Sequence, residues 1–130
     1  MESLQVRTGQ ISLQILDDEG NLRGIFKFNP EDIESAKQVL ILQQELHEKE
    51  AEYIEKAQNA VTAEDRVAVL DEIVTYFNDA IDRCFGAGSS NVLFGGAKTT
   101  SMYDDFFNGI IPYYEKAGKK RTSKYKKSGK

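Results

Sequence analysis

Residues 62–86 read TAEDRVAVLDEIVTYFNDAIDRCFG, and this stretch decides the fold. Val67, Leu70, Ile73, Val74, Phe77, Ile81, Cys84 and Phe85 recur at spacings of three and four. That spacing stacks side chains on one face of an α-helix. Thr62 precedes the pattern as an N-cap, with Asp65 in the place where a capping box usually holds Glu. Gly86 follows the last apolar residue, as a C-terminal glycine does. The segment is the most strongly amphipathic in the chain, with its start and stop written into it.

Toward the N-terminus, Asn29-Pro30-Glu31-Asp32 signals another helix start. Asn29 can cap, Pro30 suits the first helical position, and the acids favour the positive end of the helix dipole. The spacing predicts a helix from Pro30 to about Ala60, roughly 45 Å long at 1.5 Å per residue. Val39, Leu42, Leu46 and Tyr53 form its narrow apolar seam, with Ile33 and Ala36 leading in. Two such helices in sequence predict an antiparallel helical hairpin. Before them, Ile11, Leu13 and Ile15 alternate with polar residues, and Leu22, Phe26 and Phe28 share one parity. Asp17-Asp18-Glu19-Gly20-Asn21 between them supplies turn chemistry. This predicts a β-hairpin over about residues 4–28, with 4–10 extending its first arm. A lone hairpin is marginal in water, so it must pack on something.

Toward the C-terminus, GAGSSNVLFGGAKTT (86–100) reads as a glycine-rich connection. Val92, Leu93 and Phe94 within it need cover. Ser101 begins a third helix with a broad aromatic face: Tyr103, Phe106, Phe107, Ile110, Ile111 and Tyr114. Pro112 should kink it or split it. From Gly118 the sequence reads as a disordered basic tail. The fold class is therefore mainly α (α+β): an N-terminal β-hairpin, an antiparallel helical hairpin and a third, aromatic-rich helix. Residues 1–117 form the single domain and 118–130 the tail.

Length and composition agree. The 130 residues give room for one domain. A chain of this size buries roughly two-thirds of its unfolded surface, and 40% apolar residues with 7 Phe and 6 Tyr can fill one core. No apolar run approaches the roughly 20 residues of a membrane span, and the first residues lack signal-peptide order. A cytoplasmic protein is expected. The charge is uneven. Residues 118–130 hold seven of the 17 bases and none of the 21 acids, a tail of +7 on a body of −11.

No candidate for chemistry survives its spacing. Gly95-Gly96-Ala97-Lys98-Thr99-Thr100 resembles the end of a P-loop, but Ala97 separates glycine from lysine and no strand leads in. Cys84 is the only cysteine and His47 the only histidine. An inert, buried thiol and a solvated imidazole are the expected readings. Glu45, Glu48, Glu52 and Glu55 alternate with Lys49 and Lys56 as surface pairs. The expectation is no enzyme, no metal and no cofactor.

Asp79-Ala80-Ile81-Asp82-Arg83-Cys84-Phe85-Gly86-Ala87-Gly88, then Leu93-Phe94-Gly95, then the aromatic helix from Ser101 to Tyr114 together resemble the tail assembly chaperones of long-tailed (siphovirus-type) bacteriophages of Gram-positive hosts. The resemblance covers the last half of the chain, and the first half only in order of elements. It implies a non-catalytic protein that binds the tape measure protein, whose long helices would suit a groove between helices, and keeps it soluble during tail morphogenesis. It also implies self-association into a homo-oligomer and contact with tail tube protein, in the cytoplasm of the bacterial host cell. The expected binding surface is Phe85, Gly86, Gly88, Val92, Leu93, Phe94, Gly95, Phe106, Phe107 and Ile110, read as apolar surface in excess of what one chain hides. The alternative reading is a small nucleic-acid-binding accessory protein that uses the tail at 118–130. No membrane partner is expected.

Overall fold

The computed structural model describes residues 1–128, with side chains described to Ser123. Strands β1 (Ile11–Leu16) and β2 (Leu22–Phe28) are followed by helices α1 (Ile33–Gln58), α2 (Ala63–Phe85), α3 (Ser89–Phe94) and α4 (Met102–Ser128). An N-terminal antiparallel hairpin followed by a predominantly helical chain is the predicted fold class.

The hairpin pairs Ile11 with Phe28 and Leu13 with Phe26. Alternation therefore turns Ile11, Leu13, Ile15, Phe26 and Phe28 toward the helices. The Asp17 carboxylate accepts from the N–H groups of Glu19 and Asn21, which closes the turn. The register slips between Ile15 and Leu16, so that Ile15 faces Gly24 and Leu16 faces Leu22. The extra residue is Arg23. Such a bulge re-aims a side chain, and the Arg23 guanidinium donates to the Leu93 carbonyl at 2.8 Å. The slip also leaves Leu22 exposed, against its parity. Residues 1–10 do not extend the first arm; they carry neither strand nor helix.

Helix α1 starts three residues later than predicted. Asn29 spends its carboxamide oxygen on the N–H groups of Glu31 and Asp32, making a turn through Pro30. Asp32 is the true cap and accepts from the Ser35 N–H at 2.9 Å. Thr62 caps α2 as predicted, accepting from the Asp65 N–H at 3.0 Å. Gly86 ends α2 at φ 113°, a conformation that L side chains avoid. The two helices run antiparallel, joined by Lys56 with Glu72 near one end and Glu45 with Arg83 near the other. Val67 and Leu70 stay exposed, and Val69 is buried in their stead.

One core joins all elements. It contains Phe26 and Phe28 of the hairpin, Val39, Leu42 and Leu46 of α1, and Ile73, Phe77 and Ile81 of α2. Leu93 and Phe94 of α3 and Tyr103, Phe106, Ile110 and Tyr114 of α4 complete it. Helix α4 passes through Pro112 as one element. The Tyr103 hydroxyl bonds to Asn78 Oδ1 at 2.8 Å and the Val74 carbonyl at 3.2 Å, and the Tyr114 hydroxyl to Ser35 Oγ at 2.8 Å. These bonds lay α4 from α2 across to the start of α1.

Residues 118–128, expected as part of a disordered tail, continue α4 in the structure. Lys and Arg are good helix formers, and the segment is tied down at its root. Lys120 pairs with Glu31 at 3.0 Å, and Arg121 donates to the Pro30 and Glu31 carbonyls at 3.2 and 3.3 Å. Residues 129 and 130 lie outside the described residues. No described helix is long and apolar enough to cross a membrane.

Candidate protein-binding groove

Of the residues expected to form an apolar surface, Leu93, Phe94, Phe106 and Ile110 are buried, Phe85, Val92 and Phe107 are half-buried, and Gly86, Gly88 and Gly95 are exposed. Val92, Leu93 and Phe94 are not loop residues; they sit in the short helix α3. Its N-terminus is held by Asp82, whose carboxylate accepts from the Ser90 N–H at 2.7 Å. Phe94 is 6% exposed, Phe106 7% and Ile110 2%. The Phe94 ring meets Tyr103 edge-on at 5.1 Å and Phe106 at 6.1 Å. Phe85 is half-buried, edge-on to Phe26 at 5.1 Å and Phe106 at 5.7 Å. Phe107 is half-buried beside Phe106.

The glycines of this region are structural as well. Gly88 (φ 88°) and Gly95 (φ 58°) flank α3 in the left-handed region. A Cβ on Gly95 would fall 2.6 Å from Arg23 Nε, and one on Gly24 would fall 3.0 Å from Val92. The hairpin thus closes over α3 by way of two glycines and the bulged Arg23. The apolar excess read from residues 85–95 is consumed there.

What remains open is a groove beside this packing, with a volume of about 600 Å³. One wall is Leu13, Gln14, Ile15 and Leu16 of β1. Successive strand residues point to opposite faces, so four in a row mark the strand's edge. Among the described residues β1 pairs only with β2, which leaves that edge's N–H and C=O groups without a strand partner. The opposite wall is Met102, Asp105, Phe106, Gly109 and Ile110 of α4, and Phe26, Leu93 and Phe94 lie at the groove as well. Asp18 and Asp105 put two acids at it, and Arg23 one base. Gly109 is exposed, and a Cβ there would meet no atom within 4 Å. A helix-interior glycine costs roughly 1 kcal/mol relative to alanine, and nothing within the fold requires it.

Of the expected surface, the groove draws only on Leu93, Phe94, Phe106 and Ile110, at their few accessible atoms. Sequence reasoning missed Leu13, Ile15, Met102, Asp105 and Gly109. A glycine inside an otherwise aromatic helix pattern was the available signal.

The remaining candidates resolve into structural contacts. Lys98 of the P-loop-like run pairs with Asp71 at 3.0 Å, and α3 rather than a strand precedes it. Glu45 receives the Tyr76 hydroxyl and Arg83, which hold its carboxyl below the ordinary value of 4.5. Burial pushes the Cys84 thiol up to about 11, away from the thiolate that nucleophilic chemistry needs. No cluster of three or more metal-ligating side chains occurs among the described residues.

Residues 23–130 match the profile of the Family of unknown function (DUF6673). No curated protein and no solved structure matches the chain.

Proposed function

We propose, for a chain that belongs to DUF6673, a family of unknown function, that the protein is a non-catalytic assembly chaperone which holds an apolar segment of another protein in the groove between β1 and α4. The observation that carries this reading is the groove: a cleft of about 600 Å³ lined by apolar and polar side chains, beside a strand edge with no strand partner among the described residues. Concave apolar sites rimmed by a few polar groups are where proteins receive ligands and partner segments. The strand edge offers backbone hydrogen bonds, and the floor offers pockets for side chains.

The tape measure protein of a long-tailed bacteriophage is the partner to which the sequence resemblance points. By that resemblance the partner is long and aggregation-prone and needs cover before the tail forms, in the cytoplasm of the bacterial host. Tail tube protein is the second partner of this reading. Nucleic-acid binding through residues 118–130 is the second reading; two of the seven bases there, Lys120 and Arg121, are engaged at Glu31 and Pro30.

The test is aggregation of a tape measure fragment, followed by light scattering with and without the full chain. Suppression by the wild-type protein, and its loss when Gly109→Leu fills the groove mouth, is the expected result. A fragment that aggregates equally in the presence and absence of the protein overturns the reading.

A further inference from the structure

We propose that the groove of one copy receives residues 4–8 of a second copy, added as a strand along the free edge of β1. The inference rests on reading the groove as a protein-binding site and names its resident occupant.

Leu4-Gln5-Val6-Arg7-Thr8 has the period-2 pattern of a strand, yet the fold leaves it unused. Leu4 is 88% exposed and Val6 71%, and neither strand nor helix includes them. Residues 4–7 therefore have unspent backbone donors and acceptors, and Leu4 and Val6 share one face. The β1 edge has the complementary needs: unpaired backbone groups and an apolar floor alongside. Charge fits too: the groove holds two acids, Asp18 and Asp105, against one base, Arg23, and Arg7 brings the second cation.

The occupant comes from another copy because the root of the arm is tied down at the far end of the hairpin from the groove's mouth at the turn. Asn29 Nδ2 donates to the Thr8 carbonyl at 3.0 Å, and Gly9 lies against Glu31. Both contacts are at the Ile11–Phe28 end of the hairpin, whereas Leu16 and Asp18 of the groove lie at its turn. Folding back would break the Asn29 bond and reverse the chain at Thr8. Gly109 lets the arm approach the α4 backbone closely. A client segment would displace the arm, so self-association and client binding compete for one site.

The test uses full-length chains with Cys84→Ala, one carrying Val6→Cys and the other Gly109→Cys. Mixing them under mild oxidation should give a covalent pair of unlike chains, and Leu4→Glu with Val6→Glu should weaken self-association at least about tenfold by light scattering. A link formed within one chain carrying both cysteines, but not between chains, overturns the proposal. So does an association state unchanged by the Glu substitutions. Client protection by the double-Glu variant separates the two readings. If protection persists while the chains fail to cross-link, the occupant is wrong and the chaperone reading stands. If the chains cross-link and no client is protected, the reverse holds.

Discussion

Gly109→Ala should make the protein more stable. The residue is in the interior of α4, is exposed, and has open space where a Cβ would be. No steric term therefore opposes the gain in helix propensity, which is about 1 kcal/mol. For a domain of this size that corresponds to a Tm rise of roughly 3–6 °C. In urea the midpoint should rise with the slope unchanged, because the surface exposed on unfolding is nearly the same. Gly109→Leu should retain most of this gain, since leucine is nearly as good a helix former, while its side chain projects into the groove. Thermal and urea melts of the three proteins, read beside client binding, check both halves. A fall in Tm for Gly109→Ala would refute the reasoning, because it would mean that the fold itself needs the glycine. Unimpaired client binding by Gly109→Leu would refute the position of the groove mouth.

Three further outcomes follow from the packing and electrostatics. Phe94→Ala should cost about 3–5 kcal/mol in urea unfolding, because the ring is buried between Tyr103 and Phe106; a loss below about 1 kcal/mol would restore it to the surface. Glu45→Gln should lower stability by about 1 kcal/mol at neutral pH and flatten the acid limb. The Glu45 carboxyl is held below its ordinary value by Tyr76 and Arg83, so its contribution is full above pH 4.5 and fades as pH falls through the folded value; parallel acid limbs in wild type and variant would contradict this. Cys84, pushed up to about 11 by burial, should react with a thiol-specific disulfide reagent at pH 8 far more slowly than the unfolded chain does, and equal rates would contradict its burial.

Local chemistry was legible where it acts through near neighbours. The turn at Asp17–Asn21, the Thr62 cap and the stop at Gly86 all follow from residues within a few positions of each other. The start of α1 was legible only in kind: Asn29 and Asp32 are both good caps, and the choice between them depends on the turn that Asn29 closes with Glu31 and Asp32. Helix α3 was hidden because glycines on both sides dominate its composition. Its burial comes from Arg23, Gly24 and Asp82, remote in sequence. The same remoteness hid the packing around Leu93 and Phe94. An apolar run in a glycine-rich stretch has no cover visible in the sequence, and here the cover is the hairpin 70 residues upstream. The groove itself depends on how α4 lies relative to β1, which no local pattern encodes. The helical continuation of α4 past Gly118 likewise depends on Arg121 reaching the carbonyls of Pro30 and Glu31.

The central claim is that the cleft between β1 and α4 binds an apolar protein segment. Calorimetric titration of a tape measure segment onto the full chain tests it most directly. The account predicts saturable binding with a negative heat-capacity change, the mark of apolar burial, weakened at least about tenfold by Gly109→Leu. Binding of equal strength to the wild type and to Gly109→Leu, or no saturable heat with a wild-type protein that is folded, would contradict it.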